Sequence, residues 1–454
     1  MTTIAPSSPP SAVEPLRPPW DEPPSLRALR EAGAVASRVL AWPSSSRDEE
    51  WRRTAQIDRL DPARFAQPVP RDPGEVDRLG PGADPPGYLA EASAGAPAIS
   101  QAEVILVDDA AGYRGCGPGA RPRPGAGPVA VALPRAGGAL ARLGTVLPPR
   151  TGAVVAHNTA RFASATLIEV RRGDPPATVH LVHGVEPGQV AWPRTVVLLG
   201  EGAECTVIEE WLSPPEPGAA LVAPVTELVL GAGARCRHVL VQRLGPGGVL
   251  LASIRAELDR DATYEAGWIL VGGAWSKVAL EVALQGPGAS ARLSGCAAAG
   301  GTQHIDLQTT QAHQAPATTS DCLHRTVMRG RARSVYAGLI QVAPAAQKTN
   351  AYVQNRNLLL SPTAKADSNP TLEILANDVR CTHGATAGPV DRDQLFYCQS
   401  RGIEPLAARD LIVTGFLADV VDRLPLEGLR QAAWEWLAPA ASDAAGGLAS
   451  RRDE

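Results

Sequence analysis

Cys381 and His383 stand two residues apart in the run Arg380-Cys-Thr-His-Gly384. In an extended strand, residues i and i+2 project from the same face, so a thiolate and an imidazole would stand side by side. Both suit iron, zinc or an iron–sulfur cluster. Two ligands do not close a site, so the remainder would come from elsewhere in the chain or from a second subunit. A second group comprises His304, His313, Cys322 and His324, in a stretch rich in Thr and Gln, with His180 and His183 flanking a strand end upstream. Stacked coils could bring several of these to one face. Hydrogen-bonded polar ladders fit the same composition without a metal, and that is the expectation for this group.

Other chemistries are poorly supported. The adjacent carboxylates Asp108–Asp109 and Glu209–Glu210 would face opposite sides of a strand and form no acid/base dyad; with Asp391 and Asp393 they read as solvated turn or edge charges. No Gly-x-Ser-x-Gly elbow is present, nor a Cys/His pair in a recognised nucleophile setting. The only lysines are Lys277, Lys348 and Lys365, which follow Ser276, Gln347 and Ala364. None completes the Gly-Lys-Ser/Thr of a phosphate-cradling loop, so this chain binds no nucleotide in that way. A formal net charge of −4 lacks the basic footprint of a nucleic-acid binder. No run of about 18 apolar residues could span a membrane as a helix. The seven cysteines are widely spread without a CxxC, as expected of reduced cytosolic thiols rather than a disulfide scaffold. Residues 1–19, rich in Pro, Ser and Thr, read as a disordered leader and not as a signal or transit peptide, which places the protein in the cytoplasm; a plastid stroma would require that leader to be a transit peptide.

The elements that would position Cys381 and His383 follow from the texture of the chain. Among 454 residues there are 44 Gly and 42 Pro but only 4% aromatics. Up to about residue 150 short helices alternate with long loops. Ser25–Leu40 has helical spacing with Ser25 as its N-cap, Asp48–Ile57 reads as a short helix, Val104–Val107 as a strand and Ala139–Leu143 as helical, while Pro62–Pro97 and Gly112–Gly127 read as loops. From about Val154, short aliphatic runs alternate with turns: Thr166–Val170, Thr178–Val182, Thr195–Leu199, Cys205–Glu209, Thr226–Leu230, Arg237–Gln242, Leu250–Leu258, Tyr264–Val271 and Lys277–Leu284. A turn motif recurs as Gly200-Glu-Gly-Ala203, Gly231-Ala-Gly-Ala234, Asp259-Arg-Asp-Ala262 and Gly286-Pro-Gly-Ala289, its alanines 31, 28 and 27 residues apart. That period fits a stacked supersecondary unit. Hairpin dipeptides are missing, and small residues dominate the facing positions, which favours a β-helix over a sandwich. After Cys381 three helices are expected: Asp391–Tyr397, Pro405–Val421 with Leu406, Leu411, Phe416, Leu417 and Val420 near one stripe, and Leu426–Leu437 with Trp434 and Trp436. Residues beyond Pro439 read as disordered. The resulting fold class is mainly β, a solenoid core over 151–388, flanked by a helical and loop-rich region at 1–150 and a helical domain at 389–454.

The run Gln347-Lys-Thr-Asn-Ala-Tyr-Val-Gln-Asn-Arg-Asn-Leu-Leu-Leu-Ser361, then Pro370-Thr-Leu-Glu-Ile374, Asp378-Val-Arg-Cys-Thr-His-Gly-Ala-Thr386, Gln394-Leu-Phe-Tyr397 and Ser400-Arg-Gly-Ile403 resembles the SufB/SufD family of iron–sulfur cluster assembly proteins. The Cys-Thr-His-Gly-Ala-Thr form is most like its SufD branch. The likeness is dense over about 335–425 and weaker upstream, through Val155-Ala-His-Asn-Thr-Ala160 and Pro193–Trp211. Asn377 departs from the Asp more usual before Asp378. The resemblance implies a right-handed parallel β-helix between helical terminal domains. It implies a non-catalytic scaffold, pairing through its core with SufB and binding the ATPase SufC through its C-terminal helices, where Leu411, Phe416, Leu417 and Val420, with Trp434 and Trp436, would dock. A transient iron–sulfur cluster or iron would gather at the subunit interface, with His383 as ligand and Cys381 beside it. The competing readings are a β-helix polysaccharide lyase, whose acidic calcium clusters and secretory signal are not seen, and a purely structural partner.

Overall fold

The computed structural model describes residues 13–18, 22–67 without 47, 49, 50 and 52, the short strands Glu103–Asp108, Tyr113–Cys116 and Ala130–Ala132, and 141–441 without Ser164 and Pro217. Most of the expected leader, most of the loops over 62–97 and 112–127, and the tail beyond Ala441 lie outside the described residues.

From Ala165 to Pro389 the chain winds into a parallel β-solenoid of about eight turns, each contributing strands to two facing sheets, one of ten and one of eleven strands. Every strand expected between Thr166 and Leu284 has a counterpart; Thr166–Val170 lies in Ala165–Val170, for example, and Leu250–Leu258 in Gly247–Leu258. From Ser290 onward each strand has ten residues. Successive coils pair in parallel, so positions stack in columns: Cys205, Cys236, Tyr264, Ala291, Ser320, Ala351 and Cys381 form one, and Val207, His238, Ala266, Leu293, Cys322, Val353 and His383 another.

The recurring turn explains the period. Gly202, Gly233, Asp261, Gly288, Ala317 and Lys348 occupy equivalent corners with positive φ, between 57° and 76°. Each donates its N–H to a carbonyl of the next turn, as Gly202 does to Ala232 and Lys348 to Asp378. Glycine adopts this left-handed conformation at the least steric cost and holds three of the six corners, while Asp261, Ala317 and Lys348 accept the strain at the others. The alanine that follows, Ala203, Ala234, Ala262 or Ala289, is buried where the chain re-enters the core.

Between the sheets lies a continuous apolar core, and here the expectation of an interior of small residues needs correction. Trp211, Trp268, Tyr264 and Tyr336 are all buried within it. Space for Trp268 is made by Gly295, where an added Cβ would stand 1.8 Å from the indole. Trp268 Nε1 lies 3.1 Å from His324 Nδ1, which is also 3.0 Å from the Gly295 carbonyl, and His324 Nε2 lies 2.8 Å from Thr326 Oγ1. Burial holds His324, His313 and His304 near pKa 4, and His157 likewise, with help from Arg161.

Helices cover the outer faces. Helix α1 (Pro24–Val39) packs on α2 (Ala153–Arg161) over the eleven-stranded sheet. Its N-cap is Pro23 without a side-chain bond, not Ser25, and the helix expected over Asp48–Ile57 is a 3-10 turn at Ala55–Arg59. Buried Arg194 anchors this region: its guanidinium meets Glu227 at 2.7 Å and reaches Asn158, Thr159 and the Leu147 carbonyl. Glu227 in turn accepts from the N–H groups of Gly144, Val146 and Leu147. Every lone pair and proton of the pair is thereby occupied, the condition under which a buried ion pair is tolerated. On the other flank α3 (Arg392–Ser400) is capped by Asp391, α4 (Pro405–Val421) by Glu404, and α5 is Glu427–Ala441. Helices α4 and α5 seat Val413, Leu417, Val420, Leu429 and Leu437 against Ile208, Val239, Ile269 and Leu323 of the ten-stranded sheet.

Three outcomes are expected. A histidine whose folded pKa is depressed binds fewer protons than its unfolded counterpart, so stability is full above the unfolded value, about 6.5, and falls as pH drops towards about 4. Chemical denaturation at pH 7.5 and 5.5 should therefore show a lower midpoint at the acid value, by about 1 kcal/mol per histidine; His313→Gln should flatten that slope. Gly295→Ala should lower stability by about 3 kcal/mol through overpacking against Trp268. Gly415→Ala in α4, where nothing lies within 4 Å of the added Cβ, should leave stability unchanged or raised.

Candidate functional site

The solenoid ends on Lys365–Ile374 in the eleven-stranded sheet and Arg380–Pro389 in the ten-stranded one. Among the described residues neither strand has a neighbour on its far side. Arg380 donates its N–H inward to Thr349 and Lys365 donates inward to Ala332. Because alternate residues of a parallel strand bond to opposite sides, the N–H groups of 381, 383, 385 and 387 point outward, as do those of 366, 368 and 372. Pro370 occupies one of these outward positions, where proline forfeits no ladder bond.

Cys381 and His383 lie on this terminal strand. Their column neighbours Ala351 and Val353 belong to the interior core, so both side chains project to the lumen side of the last coil, with no further coil above them. Cys381 is half-buried against that core and His383 is exposed. Partial burial raises the Cys381 thiol above its usual pKa, offset in part by a backbone hydrogen bond at Ala351. At neutral pH it is therefore protonated, and a thiol in that state must give up its proton to solvent or a base before it can bind a metal. Among the described residues no group of three or more His, Cys, Asp and Glu is disposed to hold a metal. The two donors thus stand side by side at an open edge, with no third His, Cys, Asp or Glu grouped with them among the described residues.

The apolar stripe of α4 is divided. Leu417 and Val420 are 1% and 0% exposed and hold the helix on the sheet, so they are not available to a partner. Phe416 is partly buried, with the Arg325 guanidinium 5.5 Å from its ring. Leu411 is exposed, together with Leu406 and with Phe396 and Tyr397 of α3. Trp434 and Trp436 pack partly against the helix–sheet core, and Arg243 covers the Trp436 ring at 4.5 Å. The helix periodicity marked which residues were apolar; only the packing separates those that anchor from those that face outward.

The other candidates form no ligand cluster. His304 and His313 stand at opposite ends of one ten-residue strand. His313 bonds Thr318 and Ser320, and Cys322 lies 3.5 Å from the Tyr336 hydroxyl. His313 and Cys322 are thus held in polar contacts of the kind expected from Thr, Gln and His in stacked coils. His180 lies 3.2 Å from Glu210 and His183 stacks on Trp211. The reading of Glu209 and Glu210 as solvated charges is overturned, since both are buried, although they do face opposite sides. Glu210 meets Arg243 on the outer face. Inside, Glu209 accepts from Thr195 and Thr226 and lies 2.8 Å from His238 Nε2, whose Nδ1 is 2.9 Å from the Tyr264 hydroxyl. Desolvation would raise the Glu209 carboxyl, but these partners hold it below the usual range. Carboxylate and imidazole lie 29 positions apart, so the coil period is the signal that could have joined them. Asp391 caps α3, and no described helix is long and apolar enough to cross a membrane.

The sequence was then compared with known proteins. The family described as SUF system FeS cluster assembly, SufBD core domain, matches residues 181–416, just over half the chain. The iron–sulfur cluster assembly protein SufD of Escherichia coli is 35% identical over 285 residues, covering 61% of this chain and 67% of the relative. The chloroplastic protein ABCI7 of Arabidopsis thaliana is 30% identical over 245 residues, 54% of this chain and 52% of that protein. SufB of Bacillus subtilis is 27% identical over 289 residues, 62% and 61% of the two chains. The match to the core domain spans the coils that build the open edge, and the chain belongs to the SufBD family of the SUF system of iron–sulfur cluster assembly.

Proposed function

We propose that this chain is a SufD-like scaffold subunit that joins a second chain of the same fold, SufB, through the open end of its solenoid. The observation that carries the reading is the coincidence of two ten-residue strands whose outer edges have no neighbour among the described residues with the Cys381–His383 pair on one of them. A partner with the same coil cross-section continues both sheets, satisfying the outward N–H and C=O groups of a whole coil at once. Its own side chains then complete the site. Iron and sulfide are cargo here: they collect between the chains and leave. Imidazole in place of a thiolate makes a cluster site less negative, which favours release over storage. His383, exposed at the seam, is the principal ligand; Cys381, partly covered and protonated, is secondary.

The ATPase SufC docks on the C-terminal helices in this reading, at the outward face bearing Phe396, Tyr397, Leu406 and Leu411. Leu417 and Val420 act behind it by fixing α4 on the sheet. Nucleotide hydrolysis then lies with the partner, and this chain's part is to transmit its movement through a helix already welded to the ten-stranded sheet.

His383→Ala should fold like the parent, because the ring is exposed, and should lower the iron and sulfide content of the reconstituted complex severalfold. An unchanged content would leave the histidine a spacer and favour a purely structural subunit. Leu411→Asp should weaken co-elution with the ATPase at least tenfold without shifting the thermal midpoint; full retention would move the docking face elsewhere.

A further inference from the structure

Helix α4 rests on the strands Ser290–Ala299 and Thr319–Met328. The strand bearing Cys381 and His383 lies two coils beyond Thr319–Met328, with Asn350–Leu359 between them. A chain of side-chain hydrogen bonds crosses that interval on the outer face. Arg325 donates from one terminal nitrogen, Nη2, both to Asp419 Oδ2 of α4 at 3.1 Å and to Gln354 Oε1 of the next coil at 2.8 Å. Gln354 Nε2 donates in turn to the Tyr352 hydroxyl at 2.7 Å. Tyr352 stands in register with Thr382 and Gln354 with Gly384, the residues on either side of His383. Gly384 carries no side chain, and a Cβ built there would lie 3.9 Å from the Tyr352 hydroxyl. The chain of bonds that starts on α4 therefore ends over the backbone that carries the imidazole.

We propose that Arg325 and Gln354 are positioning residues that tie the terminal strand to α4, so that displacing α4 loosens the hold of Cys381 and His383 on iron. This rests on the reading above, in which iron gathers at that pair and the ATPase docks on the C-terminal helices. Arg325 is the member that responds to the helix. Its side chain is 3% exposed, so it needs a counter-charge at hand. Burial lowers the pKa of the guanidinium, the hydrogen bond and charge of Asp419 oppose that, and the nearby Arg356 and Arg423 add to it. Moving Asp419 away leaves a buried cation beside two others, and Arg325 must follow the carboxylate or lose its compensation. Gln354 is affected in either case. A guanidinium only donates, so it fixes the amide with its oxygen towards Arg325 and its nitrogen towards Tyr352. Without that donor the amide is free to turn and the tyrosine is released. The strand beneath feels this more than an inner strand would. Inner strands are bonded on both sides, whereas Arg380–Pro389 has a neighbour on one side only among the described residues.

The test starts with the full chain alone. The amides of 382, 384 and 386 bond inward to Asn350–Leu359, so their hydrogen exchange reports opening of the terminal strand. Asp419→Ala removes the carboxylate and keeps a good helix former in α4. It should speed exchange of these amides about fivefold or more. Gln354→Met keeps the side chain's length, removes both of its bonds, and should do the same. Adding Asp419→Ala to Gln354→Met should then change nothing further, because the link is already cut. Unchanged exchange in Asp419→Ala, or an undiminished effect of Asp419→Ala in the Gln354→Met background, would overturn the link and leave only a general loosening of α4. A second measurement follows iron loss to a chelator from the reconstituted complex, with and without ATP. The parent should lose iron faster with ATP, while Gln354→Met should lose it at one rate in both conditions and still co-elute with the ATPase. ATP dependence that persists in Gln354→Met would also sink the proposal. If the exchange results hold but ATP leaves iron loss from the parent unchanged, the link stands and the docking of the ATPase on these helices falls.

Discussion

Each coil of this protein is held by the one before it and the one after. A strand in the solenoid forms its hydrogen bonds with neighbouring coils, since little within its own turn can satisfy a flat row of N–H and C=O groups. The register is kept by the corner ladder, in which a residue of positive φ donates to the turn above it, six corners in succession from Gly202 to Lys348. Such an arrangement has no internal reason to stop, so its ends must be dealt with explicitly. The last coil, bearing Cys381 and His383, keeps its outward backbone groups unpaired among the described residues. That same coil carries a thiol and an imidazole side by side on its lumen side.

The interior reinforces that conclusion. Several polar side chains inside the solenoid are tied to one another: Glu209 with His238 and, through it, Tyr264, His324 with Trp268 and Thr326, His313 with Thr318 and Ser320. Desolvation keeps His313 and His324 neutral and pushes the buried thiols Cys296 and Cys322 up to about 12 and about 11. Groups locked in this way are poor metal ligands, because binding would require the loss of their present partners or of a strongly held proton. Among the described residues, the terminal coil sets a thiol and an imidazole on one face with the imidazole exposed.

The outer faces are treated asymmetrically. The ten-stranded sheet is covered by α4 and α5, fastened by apolar contacts and by Arg325–Asp419 and Arg423–Asp321, while the eleven-stranded sheet receives α1 and α2 through the Arg194–Glu227 network. Helices that cover flanks leave the ends free. Coverage also explains the composition: strands buried on both faces read as near-continuous apolar runs, so the period-two alternation of a half-exposed sheet is weak here.

Much of this was legible in the residues themselves. Gly-x-Gly-Ala at intervals of about thirty residues fixes the corner conformation and hence the coil. The spacing of Cys381 and His383 places them on one face whatever surrounds them, and the dense run of family motifs around them pointed to iron–sulfur assembly. Tertiary structure alone decided which strand is last, because that depends on what no longer follows it. It alone turned Glu209 and Glu210 from presumed surface charges into buried partners, since their histidines arrive from other coils. It also divided the α4 stripe into anchors such as Leu417 and Val420 and an exposed residue, Leu411, because helical periodicity names an apolar face without saying which part of that face the sheet covers.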